Sequence, residues 1–114
     1  MNIVALKTDG QEAYLALYQA ETLLTEEHWD SGRELGRDLI GHIKQLLQHC
    51  ELTFSEIEGI VYFAGPGSFT SLRIGAATVN TLAYANSCMV VSETGDDWLK
   101  IGIQRLLKGE NEAV

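Results

Sequence analysis

The sharpest block in the hydrophobic pattern runs from Val61 to Ser87, VYFAGPGSFTSLRIGAATVNTLAYANS. Ile60 to Ala64 is a short apolar run that predicts a buried strand, and Gly65-Pro66-Gly67 predicts a turn. A long helix follows from about 69 to 87, with Ser68 or Thr70 suited to its N-cap. No charged residue occurs from Ile74 to Ser87. On a wheel of about 100° per residue, Ile74, Thr78, Thr81 and Ala85 lie on one side, opposite Leu72, Ala76, Val79 and Ala83. Gly75 and Leu82 fill one flank, Ala77 and Tyr84 the other; only Arg73, Asn80 and Ser87 form a polar strip. A helix apolar nearly all round is covered on more than one face. One cover is the sheet holding residues 60–64. The second is either another helix of this chain or another protein.

The N-terminal pattern has a shorter period. Asn2 to Leu6, Glu12 to Tyr18 and Thr22 to Trp29 predict three strands joined by tight turns, an antiparallel meander. From Asp30 or Ser31 the period lengthens, and Leu35, Leu39, Ile43, Leu46 and Cys50 make a helical stripe. Gly32, Gly36 and Gly41 cost this helix roughly 1 kcal/mol each against alanine. They are easiest to explain where another backbone, such as the alanine-rich helix, comes close. Ser55 to Glu58 suits a single turn, and Cys88 to Ser92 a last strand parallel to its predecessor, since a helix joins them. Asp97 to Lys108 is amphipathic, capped by Thr94 or Asp96, with Trp98, Leu99, Gly102, Ile103 and Leu106 as its stripe. The whole predicts an α/β lobe over residues 1–108. Three antiparallel strands and then two parallel ones form a mixed five-stranded sheet covered by helices. Residues 109–114 are expected to be a flexible, polar tail.

The 114 residues allow one domain. Sixteen acidic against eight basic residues give a formal charge of -8, and the bases are scattered. Direct nucleic-acid binding through phosphate neutralisation is disfavoured, as is attachment to an anionic membrane. No signal peptide or membrane-length apolar run is present, and Cys50 and Cys88 lack any partner motif. They read as small buried hydrophobes of a reducing compartment, hence a cytoplasmic protein.

Candidate chemistry is sparse. Gly65, Gly67 and Ser68 place backbone N–H groups at a helix N-terminus, where a phosphate or nucleotide is favoured. The same residues also read as a tight turn, and no P-loop lysine follows the glycines. Ser68 and Ser71 are not flanked as a nucleophile elbow requires. His28, His42 and His49 have no carboxylate or cysteine at metal-ligand spacing, so they read as exposed histidines and no metal is expected. Tyr84 and Trp98 suit core or interface anchors. The reading calls for no cofactor and no catalytic residue.

FAGPGSFTSLRIGAATVNTLAYA resembles the signature of the TsaB (YeaZ) family, GRGPGSFTGLRIG followed by an alanine-rich helix. IVALKTDG is similar to that family's opening strand, and VVSETGDDWL to the segment after its second parallel strand; the resemblance covers about residues 1 to 104. It implies a lobe of the actin/Hsp70-like (ASKHA, ribonuclease H-like) superfamily. It also implies a non-catalytic subunit that pairs with the paralogue TsaD, and with the ATPase TsaE, to install threonylcarbamoyl on adenosine of ANN-decoding tRNAs. Family members pair through the helices of this lobe, with a homodimer as the competing state in isolation. Gly32, Gly36, Leu39, Ile43, Leu72, Gly75, Ala76, Val79, Leu82 and Ala83 are the expected contact residues, with Ala77 or Ala85 taking over if the opposite wheel face is free. The sequence departs from the family at Lys7, where an aspartate is usual, at Ser71, where glycine is usual, and at Leu35-Gly36, where a histidine motif is usual. A cation at position 7 opposes metal binding. Family members usually carry a second lobe, so the chain is either a naturally shortened member or the N-terminal lobe alone. A nucleotide- or phosphate-binding protein using Gly65 to Ser68, and a standalone homodimer, are the other readings.

Overall fold

In the computed structural model, which describes residues 1–112 and every side chain among them but that of Arg33, the alternating N-terminal stretch is a meander. β1 (Asn2–Lys7), β2 (Glu12–Gln19) and β3 (Thr22–Asp30) pair antiparallel. β4 (Gly59–Phe63) runs parallel to β1, and β5 (Met89–Glu93) parallel to β4, so the sheet order is β3-β2-β1-β4-β5. The expected mixed five-stranded α/β sheet is therefore present. β4 and β5 are apolar with little alternation because helices cover both faces of this part of the sheet.

α1 (Leu35–His49) and α2 (Phe69–Asn86) lie on one face and α3 (Trp98–Leu107) on the other. The two-residue period of the strands divides the core accordingly. Val4, Leu6, Leu15, Leu17, Ile60 and Val90 point to α1 and α2; Ile3, Ala5, Ala16, Val61 and Val91 point to α3.

α1 presents the expected stripe, with Leu35, Leu39, Ile43, Leu46 and Leu47 buried, but it starts later than its pattern suggests. β3 continues through Asp30, and a 3-10 turn over Gly32–Glu34 precedes the helix. Ser31 is buried, and its N–H and its hydroxyl both donate to the Gln11 carbonyl at 2.9 Å, tying the chain to β2. Gly32 then adopts φ +49°, a left-handed conformation that glycine takes without steric cost. The α1 glycines do not mark a close backbone approach either. Gly36 meets only the Ile74 Cδ1 at ordinary contact distance, and Gly41 faces open space.

The close approach lies on the other face of the sheet. A side chain at Gly102 would run into Val61, so α3 sits hard against β4. Gly102→Ala is expected to destabilise the lobe by about 1–3 kcal/mol, the usual range for overpacking a filled core. Urea unfolding measures it, and a stability unchanged or raised would show that α3 has room to move.

Residues 109–112 are docked, contrary to their polar composition. Gly109, at φ +88°, turns the chain out of α3. The Glu112 N–H then donates to the Val90 carbonyl at 2.6 Å, and the Val90 N–H donates to Asn111 Oδ1 at 3.0 Å. The Arg105 guanidinium lies within 3.0 Å of Glu93, Glu110 and Glu112 together. Burial pushes the Glu112 carboxyl up, but its bonds to Arg105 and Ser92 outweigh that and hold it below the usual carboxylate range. Ala113 and Val114, the rest of the expected tail, lie outside the described residues.

Candidate functional site

The glycine turn is built against the β1–β2 loop. Gly65 has φ +125°, and Pro66 follows it through a cis peptide bond. Gly67 abuts Asp9 so closely that any side chain there would strike the Asp9 backbone. Ser68 is the N-cap of α2, its Oγ accepting from the Ser71 N–H at 3.4 Å. Its own N–H donates to the Asp9 carbonyl at 2.7 Å. One turn further on, the buried Thr8 hydroxyl donates to the Ser71 carbonyl at 3.0 Å and occupies the space where Gly75 lacks a side chain. The donors of Ser68 and Ser71 are thus used within the chain, and Asp9 packs its backbone and Cβ against Gly67. This chemistry suits a packed loop junction better than an anion cradle, although the turn has the expected position before a helix. The sequence marks the glycines but not their partners Thr8 and Asp9, which lie some 60 residues away.

The ten expected contact positions separate by burial. Leu39, Ile43, Gly75, Val79, Leu82 and Ala83 are buried in the chain's own core; Leu72 and Ala76 are half-buried, and Gly32 and Gly36 are exposed. The inner face of α2 is therefore spent on the sheet and α1, so this wheel face is not a free surface of the lobe. The outer face holds Phe69, Arg73, Ala77, Asn80, Thr81 and Tyr84, all exposed. Tyr84 is 90% exposed and Phe69 74%, and Arg73 lies 5.4 Å over the Phe69 ring. On α1, Gly36, which meets Ile74 of α2, and Ile40 one turn on are exposed, while Arg37 and Lys44 are exposed further round the same helix. Arg73 is the single charge of α2. The α2 half of this surface is thus an aromatic and small-residue strip with a single charge. Phe69 carries no periodic signal, and it emerges only once the helix orientation is known.

At the far end of β1, Lys7 places its ammonium 4.5 Å over the Phe63 ring and 4.0 Å from Asp9. It stands beside an open depression of about 340 Å³ lined by Asp9, Glu12, Tyr14, His28, Trp98 and Leu99. Trp98 is a core anchor there, packed edge-on against Tyr14 and Phe63. Burial, and then the bond from its hydroxyl to Glu26 at 2.6 Å, push the Tyr14 phenol well above its ordinary range. His42 is not the exposed histidine expected. It stacks on Trp29 at 3.9 Å, half-buried, with Nδ1 3.2 Å from Glu27. His28 sits on β3, 3.0 Å from Glu12. Among the described residues no three of His, Cys, Asp and Glu gather as metal ligands, and no helix is long and apolar enough to cross a membrane. Both cysteines are free; the Cys88 thiol, pushed up by burial, donates to the Ile57 carbonyl at 3.2 Å.

A β3-β2-β1-β4-β5 sheet with two helices on one face and one on the other defines a ribonuclease H-like lobe. Thermus thermophilus RuvC shares that fold, with a TM-score of 0.59 at 13% identity over 100% of this chain and 73% of RuvC. YeaZ from Pseudomonas aeruginosa is nearer, with a TM-score of 0.76 at 26% identity over 95% of this chain and 49% of YeaZ. The tRNA threonylcarbamoyladenosine biosynthesis protein TsaB of Bacillus subtilis (strain 168) is 28% identical over 85 residues, 75% of this chain and 37% of that protein. Residues 30–92 match the family model described as TsaD, tRNA N6-adenosine threonylcarbamoyltransferase. The chain belongs to this family, and within it to the TsaB (YeaZ) members. It spans about half the length of YeaZ.

Proposed function

We propose that the chain serves threonylcarbamoyladenosine formation on tRNA as a non-catalytic subunit in the cytoplasm. It docks a TsaD-type paralogue against the outer face of α2 and the adjoining edge of α1. The exposed strip of Phe69, Ala77 and Tyr84, beside Gly36 and Ile40, is the observation that carries this reading. Aromatic anchors among small residues give the close, desolvated contact on which binding energy concentrates. TsaE joins through the paralogue, and the isolated chain covers the same strip with a second copy of itself. The non-catalytic role is supported by Lys7, which sets a cation at the end of β1, and by the Ser68 and Ser71 N–H groups of the turn, which are bonded within the chain.

Mixing the chain with a TsaD-type paralogue from the same cell tests this. A one-to-one complex is expected in sedimentation velocity, together with a rise in threonylcarbamoyladenosine on an ANN-decoding tRNA transcript when TsaE and the activated threonylcarbamoyl donor are supplied. No complex at tens of micromolar, with modification unchanged by the chain, would overturn the proposal.

A further inference from the structure

The two edges of the sheet are protected by different means. β3 is long and open, but Glu26 and Glu27 stand at its centre. Pairing it antiparallel with its own copy would bring these acids against one another, and charge of this kind blunts an edge. β5, Met89-Val90-Val91-Ser92-Glu93, has no such guard. Antiparallel pairing of two β5 strands about Val91 would set Val90 against Ser92 and Met89 against Glu93, with no like charges opposed.

What occupies that edge is the segment after α3. The Val90 N–H donates to the Asn111 side chain and its carbonyl accepts from the Glu112 N–H. The Ser92 N–H and hydroxyl both donate to Glu112 Oε1, at 2.8 and 2.9 Å, while the Ser92 carbonyl accepts from Arg105 at 3.0 Å. These are the groups with which an edge strand would recruit another strand. Only one of the bonds is backbone to backbone; the rest are made by side chains, so the segment blocks the edge without continuing the sheet. Arg105 holds it in place from α3 by gripping Glu110 and Glu112, and it is itself anchored to Glu93 of β5.

We infer that residues 109–112 are a strap, latched by Arg105, that closes the β5 edge against pairing with the β5 strand of a second copy. Its effect is the reverse of that of the α2 strip: the strip invites a partner and the strap refuses one. The inference stands whether or not a TsaD-type protein binds the helices.

Amide hydrogen exchange and sedimentation of Arg105→Ala and Glu112→Gln test it on the full chain. In both variants the Val90 and Ser92 amides are expected to exchange at least tenfold faster, while the Val61 amide in β4 keeps its rate. With the helix strip blocked by Ala77→Arg, adding Arg105→Ala is expected to bring concentration-dependent association that Ala77→Arg alone lacks. If Arg105→Ala speeds Val61 as much as Val90, the lobe has loosened as a whole, and Glu112→Gln, which leaves Arg105 its bonds to Glu93 and Glu110, decides. Unchanged exchange at Val90 and Ser92 in Glu112→Gln overturns the strap. Fast exchange without association up to millimolar chain overturns the second copy as the excluded strand.

Discussion

Gly75→Ala is expected to destabilise the lobe by about 2–3 kcal/mol, although alanine is the better helix former by roughly 1 kcal/mol. A methyl group at this position would meet the Thr8 hydroxyl, which is buried and bonded to the Ser71 carbonyl. Relief requires either α2 to move away from the β1–β2 connection and the sheet beneath it or Thr8 to leave its acceptor. The first opens the core between α2 and the sheet; the second strands a buried hydroxyl, at about 1–3 kcal/mol. Against a total stability of about 5–15 kcal/mol for such a domain, the shift in urea midpoint would be large. The pair supplies its own control. In Thr8→Ala the hydroxyl is gone, and the same change at Gly75 should cost at least 1 kcal/mol less, the coupling expected of residues in contact. A stabilised Gly75→Ala, or additive effects of the two changes, would mean that the loop and helix do not meet as described.

That contact shows where reading the chain in one dimension stops. The strands, the long helix and the parallel pair were legible because each depends on local period. β1, β2, β3, α2 and β5 start or stop within a residue or so of their patterns. The start of α1 was not, because it is set by Ser31 bonding back to Gln11 and by the left-handed Gly32. The glycines at 36 and 41 suggested a closely approaching backbone and have none, Gly36 meeting only the tip of Ile74, while those at 67, 75 and 102 meet Asp9, Thr8 and Val61. A glycine advertises room without naming its occupant. The tail misleads for the opposite reason. Arg105, Glu110 and Glu112 look like solvated charges in a list, and they become a latch only when α3 carries Arg105 to the edge of β5. The α2 wheel, apolar all round, left its two faces equivalent. The choice between them belongs to the sheet, which took Gly75, Val79, Leu82 and Ala83.

That choice determines which substitutions separate binding from folding. Tyr84→Ala is expected to weaken pairing with the TsaD-type paralogue by about 2 kcal/mol, some thirtyfold, as for a buried aromatic anchor. Ala77→Arg should weaken it further, at least a hundredfold. It places a second cation one turn from Arg73 and carries that charge into a contact with no acid on α2 to receive it. Neither side chain supports the lobe, since Tyr84 is 90% exposed and Ala77 lies beside it on the outer face. Both variants should unfold within about 0.5 kcal/mol of the parent, the usual span for surface changes. Ala83→Arg, on the buried face, should do the reverse and unfold the chain before any partner is offered. Titration calorimetry for affinity and urea unfolding for stability separate the two faces. If Ala77→Arg binds as tightly as the parent, the paralogue does not sit on this strip, however well it fits the chemistry of the surface.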